Sequence, residues 1–261
     1  MSEVLHLAAK GLGLTSPNPL VGAIVTDSRG VIVGRGWHER FGAPHAEVIA
    51  LQEAGIKAKG GTLYVNLEPC SHHGKTPPCA PLIVESGIDN VVIAVKDPNP
   101  LVNGKGLEIL ESNSIRVEYG IMEKEAILLN EPFFTHTVLQ RPLVTIKVAS
   151  SLDGFISREN AKDRWITGEK SRDLSHHFRN SVDAILVGVQ TILEDDPQLT
   201  ARPKGIDGNP LVRVVLDTNL RTPLNSKILN TEKNNSTIIM TGEDISSEDL
   251  KRFQDLGVKV V

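Results

Sequence analysis

The sequence predicts a two-domain α/β protein. Short apolar runs of strand length alternate with amphipathic stretches of helical length. The alternation reads β-β-α-β-α-β-α-β, then restarts after Arg141–Pro142. The 261 residues are enough for two domains of ordinary size. With 40% hydrophobic and 23% charged residues, the chain has the make-up of a soluble globular protein. A net charge of −4 gives no support to a nucleic-acid or membrane partner held by bulk electrostatics. No apolar run reaches transmembrane length, and the N-terminus lacks the basic start and apolar stretch of a secretory signal. A cytoplasmic protein is therefore expected. Its two cysteines, Cys70 and Cys79, are in that compartment more often metal-binding, catalytic or inert than disulfide-bonded.

The elements follow in order. Residues 3–12 suit a helix ending near Gly11 and Gly13, and "SPNP" is a turn. "LVGAIVTDSRGVIVGRGWH" reads as two β-branched strands joined through Asp27–Gly30, a hairpin signal. A helix runs from about Pro44 to Ala54, with Ala46, Ile49, Ala50 and Ala54 apolar. "GGTLYVNLEPC" is a strand entering a loop, "CAPLIVESG" a helix and "NVVIAV" a strand. "GKGLEILESNSI" is a helix and "RVEYGI" a strand. "EKEAILLNEPFFTHTVLQ" is amphipathic and is stopped by Pro142, where the domain boundary is placed, giving domains 1–140 and 141–261. In the second domain "LVTIKVASSLDGFIS" reads as a strand with a turn. "GEKSRDLSHHFRNS" reads as a helix and "DAILVGV" as a buried strand. "LVRVVLDT", "STIIM" and "VKVV" are further strands.

The strongest chemical signal is His45-Ala-Glu47, then Pro69-Cys70, then Cys79. Imidazole and thiolate suit tetrahedral zinc, and one His with two Cys leaves a fourth position for water. Zinc at such a site brings the pKa of water toward ~7. Glu47, two residues from the ligand, is placed to serve that water without binding the metal. Taken singly, His-x-Glu is an ordinary polar helix start and two cysteines are ordinary packing. Together the order matches the zinc-deaminase signature, in which Glu is the general acid/base. That signature normally ends P-C-x-x-C, whereas here the eight residues 71–78 separate the cysteines. A purely structural zinc would take a fourth protein ligand, which His72 or His73 could supply.

The long insert carries a resemblance. "EPCSHHGKTPPCAPLI" is similar to the pyrimidine deaminases of riboflavin biosynthesis, in which a longer loop separates the cysteines. "TSPNPLVGAIV", "GRGWHERFGAPHAE" and "VKDPNPLVNGKG" resemble the same family in the same order. "RPLVTIKVASSLDGFIS", "RWITGE" and "AILVGVQTILEDDPQLTAR" resemble its fused reductase. The resemblance covers essentially the whole chain. It implies a cytidine-deaminase-like three-layer domain over 1–140. A dihydrofolate-reductase-like NADPH domain over 141–261 would follow. It further implies that His45, Cys70 and Cys79 bind one zinc and Glu47 is catalytic. The implied substrate is 2,5-diamino-6-(5-phosphoribosylamino)pyrimidin-4-one, deaminated and then reduced from ribosyl to ribityl.

Substrate-binding residues are implied at Asn18, His38, His72 and Lys75 in the first domain, with His38, His72 and Lys75 suited to a dianionic phosphate. Asp97 and Asn99 of "DPNP" read instead as turn formers. In the second domain the resemblance implies substrate contacts from Lys147, Asp163, Arg179, Leu199 and Arg202. The two arginines suit bidentate phosphate binding. It implies cofactor contacts from Ala149, Trp165, Thr191, Asp195 and Thr218. No G-x-G-x-x-G follows a strand, so a Rossmann site is not indicated. The family usually has serine where Asp163 stands; a carboxylate there would repel a phosphate, so either the loop shifts or reduction is impaired. The family's reductase also runs further, through a Gly-Gly segment at the cofactor phosphates and a glutamate at the substrate. The expectation is thus a C-terminally incomplete reductase domain whose reducing activity is impaired. A small phosphorylated pyrimidine is the expected partner, with no nucleic acid and no membrane, in a homo-oligomer. Competing readings are a zinc deaminase of another nucleobase, including RNA, and a non-catalytic zinc-stabilised binding protein. Glu47 separates the last from an enzyme, since a structural site has no use for it.

Overall fold

The computed structural model describes residues 1–71, 77–100, 102–157, 165–230 and 235–261. The chain divides into two compact units, Met1–Thr145 and Ile146–Val261, a few residues beyond the expected boundary after Gln140.

In the first unit α1 (Ser2–Ala9) precedes the hairpin β1 (Gly22–Thr26) and β2 (Ile32–Trp37). Asp27 makes the turn: its Oδ1 accepts from the backbone N–H of Arg29 and Val31, and Gly30 supplies the left-handed φ of 82°. Then come α2 (Ala46–Ala54), a short 3₁₀ turn, β3 (Thr62–Leu67), α3 (Cys79–Glu85) and β4 (Asn90–Val95). α4 (Lys105–Ser112), β5 (Arg116–Tyr119), α5 (Glu123–Leu129) and α6 (Glu131–Leu139) complete the unit. The sheet order is β2-β1-β3-β4-β5. β1 is antiparallel to both β2 and β3, and β3, β4 and β5 are parallel. Ala46, Ala50 and Ala54 of α2 pack with Ala80 and Ile83 of α3 and Leu107 and Leu110 of α4 against Ala23, Val25, Leu63, Val65 and Ile93. Val4 and Leu7 of α1 pack with Ile24, and Ala126 of α5 with Leu67 and Ala94, on separate clusters. Alternate residues of β1 thus enter different layers, and the strand is buried on both faces. This is the expected three-layer arrangement.

The long amphipathic stretch after β5 is two helices rather than one. Asn130, with non-helical φ −106° and ψ 21°, ends α5 and caps α6, and Pro132 suits the first turn of the second helix.

In the second unit α7 (Glu169–Asn180) leads to β6 (Ala184–Gly188), α8 (Val189–Asp195), β7 (Val212–Leu216), β8 (Ser236–Met240), α9 (Ser247–Gln254) and β9 (Lys259–Val260). The four strands form a parallel sheet in the order β6-β7-β8-β9. Its core joins Val189 and Ile192, Val215, Ile239 and Phe253. α8 and α9 were not anticipated. α9 has a clear signal: Ser246 Oγ accepts from the N–H of Asp249 and donates to Asp249 Oδ2.

Two expectations are corrected. "LVTIKVASSLDGFIS" forms no strand among the described residues, although its turn is present, Ser151 N–H donating to Phe155 O. Val144, Ile146 and Val148 are 72%, 84% and 66% exposed. An alternating apolar sequence becomes a strand only where a neighbour accepts its ladder bonds. β6 is not a buried strand either. It is a sheet edge whose Ile185 and Val187 face the core while Leu186 is 57% exposed.

Candidate metal centre and the surrounding cavity

α2 begins where the chain needs it because β2 lets it approach. A Cβ on Gly36 would lie 2.3 Å from Ala46 O, and one on Gly34 2.0 Å from Ala50 O. Glycine at both places seats the helix directly on the strand. His45 is its N-cap, with extended φ −71° and ψ 159°, and Glu47 lies in its first turn. Cys70 sits on the loop after β3, and Cys79 opens α3.

The side-chain donors of His45, Cys70 and Cys79 all lie within 4.8 Å of one another. His45 Nδ1 is 3.3 Å from Cys79 Sγ and 3.6 Å from Cys70 Sγ. The N–H of Cys79 donates to Cys70 Sγ at 3.3 Å, and the N–H of Ala80 donates to Cys70 O. The start of α3 thereby stabilises a thiolate at Cys70. The Cys79 thiol beside it, against the opposing effect of burial, lowers the Cys70 pKa to about 4, with His45 adding to the shift. The same contact and burial push Cys79 up. His45 is raised, first by its contact with Cys70. Two sulfurs in contact beside an imidazole form the donor set of a tetrahedral metal.

Glu47 is 4% exposed, and burial raises its pKa. Its Oε2 is buried without a hydrogen-bond partner in the structure. An unsatisfied carboxylate oxygen costs free energy unless a ligand or water completes it. Donor chemistry and orphaned oxygen together fit a zinc ion with an open fourth position.

A cavity of about 260 Å³ opens over this centre, and Asn18, His38, His45, Glu47 and Cys70 all line it. Asn18 is held by His38: Asn18 Nδ2 and His38 Nε2 are 3.1 Å apart, and His38 Nδ1 lies 3.1 Å from Pro44 O. One neutral tautomer satisfies both contacts. His38 is 2% exposed, and burial holds its pKa below the ordinary histidine value. With both ring nitrogens engaged, His38 is placed to steady Asn18 in the cavity wall. Leu20 and Gly22, just after the Asn18 turn, are clamped by two buried carboxamides. Leu20 N–H donates to Asn130 Oδ1 at 2.7 Å, Gly22 N–H to Asn66 Oδ1 at 2.8 Å, and both Nδ2 groups donate to Leu20 O. His72 and Lys75 lie outside the described residues, as does His73.

Sequence reasoning missed part of the lining. Glu68, Asp97, Asn99 and Phe133 face the same cavity. Asp97 and Asn99 do form the turn expected of them, the N–H of Asn99 donating to Asp97 Oδ1, yet they also wall the site. The available signal was an acid, Glu68, between an apolar strand and Pro-Cys, where burial demands a purpose.

In the second unit the named residues are spread along the elements. Lys147 and Ala149 lie in the segment without regular structure. Trp165 is 54% exposed beneath the Arg172 guanidinium, 4.7 Å from its ring centre. Thr191 and Asp195 are on α8, which follows β6. Thr218 follows β7, and its carbonyl accepts from the N–H of Gly242, which follows β8. Thr191 and Thr218 therefore belong to the carboxyl ends of neighbouring parallel strands, where open α/β sheets bind ligands. Arg179, in the last turn of α7, donates to Thr200 O at 3.5 Å. Arg202 N–H donates to His176 Nδ1, and its guanidinium donates to Gln198 Oε1 and to Thr200 Oγ1. Burial and then Arg202 hold the Arg179 pKa below its usual value, so the two cations share one neighbourhood. Leu199 packs its side chain into the core, which leaves only its backbone for a ligand. Asp163 lies outside the described residues.

A zinc domain of the cytidine-deaminase type joined to a reductase-type α/β domain is the class these features define. Residues 1–95 match the family described as the cytidine and deoxycytidylate deaminase zinc-binding region, and residues 142–261 match the RibD C-terminal domain. The chain is 48% identical over 261 residues to the riboflavin biosynthesis protein RibD of Aquifex aeolicus, covering 100% of itself and 72% of that protein. The RibD of Bacillus amyloliquefaciens is 47% identical over 262 residues, 100% of this chain and 69% of that one. Among solved structures, Acinetobacter baumannii RibD superposes with a TM-score of 0.90 at 40% identity, over 100% of this chain and 72% of the other. The Thermotoga maritima diaminohydroxyphosphoribosylaminopyrimidine deaminase/5-amino-6-(5-phosphoribosylamino)uracil reductase does so at 0.88 and 42%, with the same coverage. The chain belongs to the RibD family of riboflavin biosynthesis proteins.

Proposed function

We propose that the first unit hydrolytically deaminates 2,5-diamino-6-(5-phosphoribosylamino)pyrimidin-4-one and that the second reduces the ribosyl group of the product to ribityl with NADPH. The observation that carries the first half is the convergence of His45, Cys70 and Cys79 beside the partnerless buried oxygen of Glu47. Zinc, when bound by those three, supplies the Lewis acidity that brings the pKa of water near ~7. Glu47 Oε2 takes the proton of the attacking water and passes it to a ring nitrogen. It then assists the departing amine, so that the C–NH2 bond is exchanged for a carbonyl and ammonia leaves. Burial, which raises the Glu47 pKa, suits a group that must hold a proton near neutral pH. Asn18, kept in place by His38, orients the pyrimidine. His72 and Lys75 hold the phosphate.

In the second unit Lys147, Asp163, Arg179, the Leu199 backbone and Arg202 form the substrate side. Ala149, Trp165, Thr191, Asp195 and Thr218 form the NADPH side. The protein acts in the cytoplasm as a homo-oligomer on a small phosphorylated pyrimidine, and no helix among the described residues is long and apolar enough to cross a membrane. The test supplies the pyrimidine substrate to purified protein and follows ammonia release and NADPH oxidation separately. One ammonia per substrate is expected, and NADPH oxidation by the deaminated product reads the second unit separately. Absence of ammonia release from zinc-loaded protein overturns the reading.

A further inference from the structure

Glu68 is the residue between β3 and the Pro69-Cys70 turn, and it is 3% exposed. No cation pairs with it among the described residues. Its carboxylate is satisfied instead by backbone. Gly104 N–H reaches Oε1 at 2.9 Å and Oε2 at 3.1 Å, Gly106 N–H reaches Oε1 at 3.1 Å, and Asp97 N–H reaches Oε2 at 3.2 Å. These donors come from two places: Asp97 follows β4, while Gly104 caps α4 and Gly106 lies in its first turn. Those of Gly104 and Gly106 are also among the N–H groups that a helix start leaves without partners. The glycines are required for the fit: a Cβ on Gly106 would lie 2.1 Å from Pro69 O, and Gly104 has a left-handed φ of 87°. The backbone before Cys70 and the start of α4 are therefore in direct contact. Asp97 and, two residues on, Asn99 line the cavity over the metal centre.

We propose that Glu68 is a positioning residue for substrate recognition, clasping Asp97 and the Gly104–Gly106 start of α4 to the metal-ligand turn and so fixing the Asp97–Asn99 wall against the metal-ligand residues. It rests on the deaminase reading only for its kinetic consequence. The clasp is specific to a carboxylate. An ionised carboxylate is acceptor-only and can take donors on both oxygens at once. A glutamine keeps one acceptor and turns an NH2 toward backbone N–H groups. The metal ligands keep their own supports, since His45 is carried by α2 and Cys70 accepts the N–H of Cys79. Loosening the clasp should thus weaken the hold on substrate before it disturbs the metal.

The experiment compares wild type, Glu68→Gln and Glu68→Asp in three readouts. These are zinc per chain, steady-state ammonia release, and amide hydrogen exchange at Asp97, Gly104 and Gly106. For Glu68→Gln the expected result is unchanged zinc, KM raised about tenfold, kcat within about threefold, and exchange at those three amides at least tenfold faster while β4 is unaffected. Glu68→Asp, which keeps the charge on a shorter arm, should recover part of each change. Exchange needs no substrate, so faster exchange in a protein whose wild type releases no ammonia would uphold the clasp while refuting the deaminase reading. Unchanged exchange and KM in Glu68→Gln would overturn the proposal. So would loss of zinc in both variants, because Glu68 would then be supporting the metal rather than the wall.

Discussion

In the first unit the described groups around the metal centre are held by specific contacts with neighbouring elements. Asn18 is held by His38, His38 reaches Pro44, Leu20 is clamped by Asn66 and Asn130, and Cys70 takes the N–H of Cys79. In the second unit the named groups lie on strand ends, on an exposed helix and on a segment without regular structure, and Arg179 and Arg202 are steadied mainly by backbone carbonyls and neighbouring polar side chains. The difference shows what each chemistry demands. Soft metal ligands and a proton shuttle must meet within ångströms in a dry place. A phosphate and a dinucleotide are long, and can be gripped by groups far apart along an edge. The first arrangement should fail sharply when one member is lost. The second should fail by degrees.

The largest effect expected is on the metal. Cys70→Ser, or removal of zinc with a strong chelator, should abolish ammonia release below detection and lower the melting temperature of the first unit. Elemental analysis and a melting curve check this, and full zinc retention in Cys70→Ser would remove the contrast. Next is Gly36→Ala. Its Cβ would enter 2.3 Å from Ala46 O, so α2 must move away and carry His45 and Glu47 with it. A cost of about 2–4 kcal/mol is expected in denaturant unfolding, together with weaker zinc binding.

Graded failure should appear in the second unit. Arg202→Ala removes charge-assisted hydrogen bonds of about 1.5–3 kcal/mol, or roughly ten- to a hundredfold in KM for the reduction step. Ammonia release should not change. Parallel loss of both activities would show that the sites are not separable in this way.

The smallest effect is on pH dependence. Burial keeps His38 neutral by holding its pKa below 6.5, so between its folded value and 6.5 the unfolded chain binds the extra proton. Stability should then fall as pH drops from 6.5 toward the folded value, and His38→Gln should flatten that slope in melts between pH 7 and 5.

The legible parts of the molecule were those in which local pattern and tertiary environment agree. β1 reads as a continuous apolar run because both of its faces are covered, and the Asp27–Gly30 turn carries its own chemistry. His45, Glu47, Cys70 and Cys79 were legible because few residue types suit zinc. Glu68 and Asn130 were not singled out, since their partners are backbone groups remote in sequence, up to 110 residues away for Leu20 and Asn130. The hold of His38 on Asn18 was not legible either, because its contacts with Asn18 and Pro44 come from residues the fold brings together. The stretch from Leu143 to Ile156 misled in the opposite sense, its alternation announcing a strand that has no neighbour to pair with among the described residues.

The central claim is that the buried carboxylate of Glu47 moves protons while three other residues hold the metal. It is tested most directly by measuring zinc content and ammonia release together in Glu47→Gln. The account predicts one zinc per chain, as in wild type, with turnover reduced roughly 10²–10⁴-fold and toward the upper end, because one residue serves both proton transfers. Near wild-type turnover with zinc in place would contradict it.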